Sequence, residues 1–86
     1  MENHELSELE AARVVDARWS PCPGTLLKAK ESITRMPAGE IMEILSHDPE
    51  ARRDILAWAG KAGHEFLGFL EGEGYYRIFV MKKVPE

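Results

Sequence analysis

The spacing of apolar residues alternates between strand-like and helix-like along this chain, with proline or glycine at each change. Apolar residues three and four apart lie on one face of a helix, and this spacing predicts helices over 25–36 and 49–62. Apolar and β-branched runs outside these segments predict strands. The strand-like runs are residues 12–17, 40–46, 64–70 and 75–82. The predicted order is therefore β-α-β-α-β-β.

Individual residues predict where some of these helices and strands begin, end or are interrupted. Asp48-Pro49 is a typical helix start, because aspartate caps the first turn and proline fits the first helical position. Gly63 suits the left-handed residue that ends many helices. Gly68, inside a strand-like run, predicts a β-bulge or a close approach of backbone.

This order predicts an α/β (α+β) fold, a two-layer βαβαββ sandwich. Right-handed crossovers place both helices on one face of a four-stranded mixed sheet and leave the other face open. A chain of 86 residues fits one domain. We expect residues 11–84 to form it and the acidic residues 1–10 to be a disordered tail.

The net charge of −4 lies in that tail, which holds four glutamates and no lysine or arginine, so the rest of the chain is neutral. A neutral domain does not favour nucleic-acid binding. No apolar run reaches the length of a membrane span, and residues 1–10 do not resemble a signal peptide. We therefore expect a cytoplasmic protein that uses neither a membrane nor nucleic acid.

Cys22 is the only cysteine, which excludes an internal disulfide and zinc sites with several thiolates. Pro21-Cys22-Pro23 places the thiol at the N-cap of the first predicted helix. Unpaired N–H groups of the first turn, the helix dipole and nearby bases all favour a thiolate, so we expect a thiol pKa below that of free cysteine. The residues expected to support the thiolate are Pro23, Gly24, Thr25, Arg18 and Lys28.

Two other interpretations of Cys22 stay open at this point. It is either an inert residue packed like a small hydrophobe or a metal ligand together with His47, Asp48 or His64. No pair of these three residues has ligand spacing with Cys22, so no metal and no cofactor are expected. The sequence contains no serine-histidine-aspartate set, no paired carboxylates and no phosphate-binding loop, so we do not expect a stand-alone hydrolase.

Several segments together resemble the TusA/SirA-like sulfur-carrier family, over about residues 13–83. They are Val14-Val15-Asp16-Ala17-Arg18, Cys22-Pro23, Leu26-Leu27-Lys28-Ala29-Lys30, Asp48-Pro49, Ala57-Trp58 and Gly63-His64-Glu65. The resemblance implies a βαβαββ sandwich in which Cys22 accepts sulfane sulfur as a persulfide. It implies a cysteine desulfurase or rhodanese-type donor and a downstream sulfur-acceptor protein, serving tRNA thiolation, cofactor assembly or sulfur oxidation. The second proline of the family's motif is replaced by Thr25, and Trp19-Ser20 precedes the motif where glycine-leucine is usual.

The open sheet face predicts a docking surface for a partner protein or a second copy. If Ile78 and Val80 face the helices, then the residues that alternate onto the outer face are Tyr75, Arg77, Phe79 and Met81. Leu27, which lies off the helical stripe, is either a second buried contact or an exposed contact residue. The residues expected to bind a partner are Leu27, Tyr75, Arg77 and Phe79.

Two alternative functions remain. One is a non-catalytic interaction or regulatory domain in which Cys22 is structural. The other is weak RNA binding through the aromatic residues of 74–80, although RNA-recognition modules have the order βαββαβ rather than βαβαββ.

Overall fold

The computed structural model describes residues 11–19, 24–72 and 74–83, and the predicted tail lies outside them. The six predicted elements follow one another in the predicted order. They are β1 (Arg13–Asp16), α1 (Gly24–Ile33), β2 (Ile41–Ser46), α2 (Pro49–Ala62), β3 (Glu65–Gly72) and β4 (Tyr75–Met81). Helix α1 ends before the predicted residue 36, because Thr34, Arg35 and Met36 continue as turns.

The four strands form one sheet in the order β1-β2-β4-β3. Strands β1 and β2 are parallel, and β4 is antiparallel to both of its neighbours, β2 and β3. The closing hairpin therefore inserts its second strand into the middle of the sheet and leaves β3 at the edge. The sheet is mixed, as the sequence predicted.

The core lies between the sheet and the two helices, which confirms the two-layer sandwich. The helices contribute small and branched residues, and alternate positions of β2 and β4 meet them from the sheet. Met36, in the turn after α1, joins them, and the buried residues are Ala29, Ile33, Met36, Met42, Ile44, Ala51, Ile55, Ala59, Ile78 and Val80.

The local signals at α2 and β3 are confirmed. Asp48 is extended and its Oδ1 accepts the Glu50 N–H at 2.9 Å, which satisfies a donor of the first turn. Gly63 ends the helix with φ of +86°, a conformation that glycine adopts at little cost. Register shifts between Phe66 and Gly68, so the predicted bulge is present.

Lys82, directly after β4, ties the end of the sheet to the end of α1. Its side chain is buried, and Nζ donates to the carbonyl oxygens of Ile33 at 2.8 Å and Met36 at 2.7 Å. A cation favours the carboxyl end of a helix, where carbonyl groups lack partners within the helix. The backbone of Lys82 also pairs with Gly39 and Glu40, which holds the turn between α1 and β2.

The outer face, which is the sheet face opposite the helices, follows the predicted alternation but is less open than expected. Tyr75 and Arg77 are half-buried there, whereas Phe79 has no exposed surface. The Arg77 guanidinium lies 5.5 Å from the centre of the Phe79 ring, and its Nε donates to Glu43 at 2.6 Å. The prediction that Phe79 is an open docking residue is therefore wrong, because Phe79 has no exposed surface and the Arg77 guanidinium lies near its ring.

Candidate site at the carboxyl edge of the sheet

The ends of β1 and β2 and the start of β4 meet at one border of the sheet, here called the carboxyl edge. Asp16 at the end of β1 pairs with Leu45, and Ser46 at the end of β2 pairs with Tyr76 near the start of β4. Both helices follow these strands after short connections, so both begin at this edge. Such edges are where α/β proteins commonly place their functional groups.

Helix α1 begins at Gly24, two residues after the predicted nucleophile. Cys22 and Pro23 lie outside the described residues, so their predicted positions at the helix start stay predictions. Thr25 is fully buried in the first turn, and this turn holds no acidic residue. No carboxylate within this turn therefore neutralises the positive end of the helix dipole.

Arg18 was expected to support a thiolate, but it is bound to Asp16. Its Nε and one terminal nitrogen donate to the two carboxylate oxygens at 2.9 and 2.8 Å. Hydrogen bonds from the Arg18 side chain and backbone lower the pKa of Asp16 from 3.8 to about 2. Asp16 holds Arg18 through hydrogen bonds, whereas the exposed Lys28 acts on Asp16 only through its charge, so Lys28 is the better candidate for an available cation near the start of α1.

Three rings line up along the carboxyl edge, and we call Trp19, His47 and Tyr75 the aromatic rim. The Trp19 and His47 centroids are 4.9 Å apart in an edge-to-face arrangement, and those of His47 and Tyr75 are 6.3 Å apart. The Arg18 guanidinium lies 5.1 Å from the Tyr75 ring centre. Trp19 is 81% exposed, so the rim presents a large amphipathic side chain to solvent.

A shallow cavity of about 250 Å³ lies beside this rim. Its walls come from the ends of β2 and β3 and the start of β4. The lining residues are His47, Glu71, Gly72, Gly74, Tyr75 and Tyr76.

The structure brings some predicted contact residues together and separates others. Tyr75 lies at the carboxyl edge beside Arg18. Leu27 is 58% exposed on α1, so it is an exposed residue rather than a second core contact. Arg77 lies on the outer face, where Glu43 engages it, and Phe79 is buried.

The described residues show neither a cluster of metal ligands nor a helix that could span a membrane. Within residues 11–19, 24–72 and 74–83, no three histidine, cysteine or acidic side chains form a group that could hold a metal ion. Neither α1 nor α2 combines the length and hydrophobicity needed to cross a bilayer.

The comparison with known proteins decides the family. The family described as Sulfurtransferase TusA matches residues 13–83, which is most of the chain. This protein belongs to the TusA sulfur-carrier family. The match includes β1, both helices and the whole sheet, so the resemblance read from the separate segments is confirmed.

Individual TusA relatives agree with this assignment. An Archaeoglobus fulgidus protein, provisionally named a sulfur carrier protein, is 44% identical over 80% of this chain and 94% of its own length. The sulfur carrier protein TusA of Pseudomonas entomophila is 30% identical over 91% of this chain and 98% of its own length. The crystal structure of a SirA-like protein from Desulfitobacterium hafniense superposes with a TM-score of 0.75 at 20% identity. The superposed region covers 84% of this chain and 99% of the SirA-like chain, which confirms the fold.

Sequence reasoning missed the aromatic rim of this TusA-family protein. His47 reads as an isolated surface residue, and Trp19 only as part of a strand-breaking segment. The available signal was their position, because both follow the ends of strands that a right-handed β-α-β unit places side by side in parallel.

Proposed function

We propose that this protein carries sulfur as a persulfide on Cys22, between a sulfur donor and an acceptor protein. Membership of the TusA family over residues 13–83 carries the proposal. The position of Cys22 two residues before α1 supports it, because free N–H groups of a first turn stabilise a thiolate or persulfide anion. With one cysteine in the chain, the sulfur can have only one cysteine attachment site.

The transfer needs no external oxidant. The Cys22 thiolate attacks the outer sulfur of a donor persulfide, RS–SH. A new S–S bond forms at Cys22, the donor S–S bond breaks, and the donor leaves as the thiolate RS⁻. The outer sulfur keeps its hydrogen, so Cys22 becomes a persulfide and the donor cysteine returns to its reduced form. A nucleophile on the acceptor then removes the outer sulfur in the same way.

The test is intact mass measurement after incubation with a cysteine desulfurase and cysteine, or with a rhodanese and thiosulfate. We expect the wild type to gain the mass of one sulfur atom and to lose it on reduction. Cys22→Ser should gain nothing while keeping the same circular dichroism spectrum. A folded wild type that stays unmodified with both donors contradicts the proposal and favours the interaction-domain alternative.

The donor and acceptor would approach across the carboxyl edge and the first turns of α1. Leu27 and Lys28 are exposed there, and Tyr75 with Trp19 supplies aromatic contact area on the other side. Aromatic and apolar anchors beside a charged group are the usual composition of an interface hot spot. The donor and acceptor enzymes are expected to share the cytoplasm with this protein.

Leu27→Glu tests this contact surface. We expect at least a tenfold lower rate of sulfur loading, because a carboxylate on the interface loses apolar contact and must be desolvated. The initial rate of mass gain with desulfurase and cysteine measures it. Val14→Glu is the matched control, since Val14 is 56% exposed on β1 at the outer face. Equal rates for both variants and the wild type would exclude Leu27 from the contact.

A further inference from the structure

A groove between α2 and the edge strand β3 has features that sulfur transfer through Cys22 does not use. It has a volume of about 250 Å³ and is lined by Arg52, Arg53, Leu56, Phe66 and Phe69. The two phenylalanines and Leu56 form an apolar floor and rim. Both of the charged residues that line it are arginines, so the groove is apolar inside and cationic at its border.

Arg52 lies against two aromatic rings. Its guanidinium carbon lies 4.3 Å from the centre of the Phe69 ring and 5.9 Å from that of Tyr76. No salt bridge joins Arg52 to another residue in the described part of the chain. A guanidinium stacked on a ring keeps its N–H groups in the plane of the fork, where they can bind a carboxylate at two points.

Two neighbouring side chains, Arg53 and Leu56, are also accessible to an incoming partner. Arg53 pairs with Glu50 at 3.5 Å, but these side chains are 79% and 58% exposed, and such pairs contribute little. Leu56 is 50% exposed at the rim. An incoming carboxylate can therefore compete for Arg53 while an incoming apolar group covers Leu56.

We propose that this groove binds a polypeptide segment of a partner protein that carries an apolar side chain next to a carboxylate. The apolar side chain would enter between Leu56, Phe66 and Phe69, and the carboxylate would bind Arg52. The volume favours one or two side chains over a whole small ligand, whose pockets usually start at about 300 Å³. The charge of the border selects an acidic partner over a basic one. The proposal does not depend on persulfide formation.

The experiment uses the full chain with Cys22→Ser, so that thiol chemistry cannot contribute. The probe is the peptide acetyl-Ser-Gly-Glu-Leu-Phe-Glu-Gly-Ser-amide, followed by two-dimensional NMR. We expect saturable shifts of the Leu56, Phe66 and Phe69 signals and of the Arg52 Nε–H. Replacing both glutamates of the peptide by glutamine should weaken binding at least about tenfold, since charge-assisted hydrogen bonds are roughly twice as strong as neutral ones.

Protein variants separate this groove from general electrostatic attraction. Arg52→Ala should weaken binding about tenfold or more, and Leu56→Glu should abolish it, because it brings a negative charge to an exposed position at the rim. Lys61→Ala removes the same charge from an exposed position on the same helix and should leave the affinity unchanged.

Three results would overturn the proposal. The first is the absence of shifts at the groove with millimolar peptide, and the second is an equal loss of affinity for Lys61→Ala and Arg52→Ala. The third is movement of the groove signals without peptide, either on dilution or on deletion of residues 1–10. That third result would assign the groove to a second copy or to the chain's own acidic segment.

Discussion

Phe79→Ala is expected to lower the free energy of unfolding by about 3–5 kcal/mol, the usual loss when a buried phenylalanine is truncated. Phe79 has no exposed surface although its side chain alternates away from the helices. The replacement removes the ring that the Arg77 guanidinium approaches and leaves a cavity beside the Arg77–Glu43 ion pair. A loss of this size corresponds to a fall in Tm of more than about 10 °C for a domain of this length.

Urea and thermal unfolding followed by circular dichroism measure this effect. Leu27→Ala is the control, because Leu27 is a large apolar residue that is 58% exposed and should cost less than about 0.5 kcal/mol. If Phe79→Ala is already unfolded at room temperature, Phe79→Leu gives a smaller, measurable loss. Unchanged stability of Phe79→Ala would mean that the ring is open and would restore the docking interpretation of this residue.

Lys82→Met is expected to lower the free energy of unfolding by about 2–3 kcal/mol. The substitution keeps an apolar chain of similar length but removes the donor that reaches the Met36 carbonyl at 2.7 Å. An unsatisfied buried acceptor costs about 1–3 kcal/mol, and the Ile33 carbonyl loses one of its two donors as well. Removing the desolvated cation recovers part of this cost, which keeps the expected loss moderate.

Lys83→Met is the matched control for Lys82. Lys83 is the next residue, with its side chain 52% exposed and 3.3 Å from Glu65, and such a surface pair contributes about 0–1 kcal/mol. Amide hydrogen exchange adds a local readout, because loss of the Lys82 contacts should speed exchange in the last turn of α1. Equal stabilities of the two variants would show that the amine of Lys82 does not hold the end of that helix.

The element order of this protein was predictable because its signals are local. The Asp48 cap, the Gly63 helix end and the Gly68 bulge each act within a few residues, and each is where the sequence placed it. Helical and strand spacing is local in the same sense, since it reflects the geometry of one or two turns or of a single strand. The family was also predictable from the sequence, because the segments that resemble it keep their order and spacing along the chain.

The sequence predicted where along the chain the candidate site lies, but not which side chains pair there. The residues around Cys22 indicate a helix start, but Arg18 forms its ion pair with Asp16 rather than remaining a free cation. The sequence shows the two residues two positions apart, but this spacing alone does not determine whether their side chains touch. The side-chain geometry at the end of β1 decides the pairing, and with it which base is left to act on a thiolate.

The remaining features depend on contacts between residues far apart in the chain. The insertion of β4 between β2 and β3 brings Tyr75 to His47, Arg77 to Glu43 and Lys82 to the end of α1. The hairpin pattern is equally compatible with either of its strands pairing with β2, so local spacing does not select one. Strand order follows from which arrangement buries the most apolar surface under two helices, and that is a property of the whole chain. For the same reason, the burial of Phe79 and the groove between α2 and β3 emerge only when the sheet is assembled.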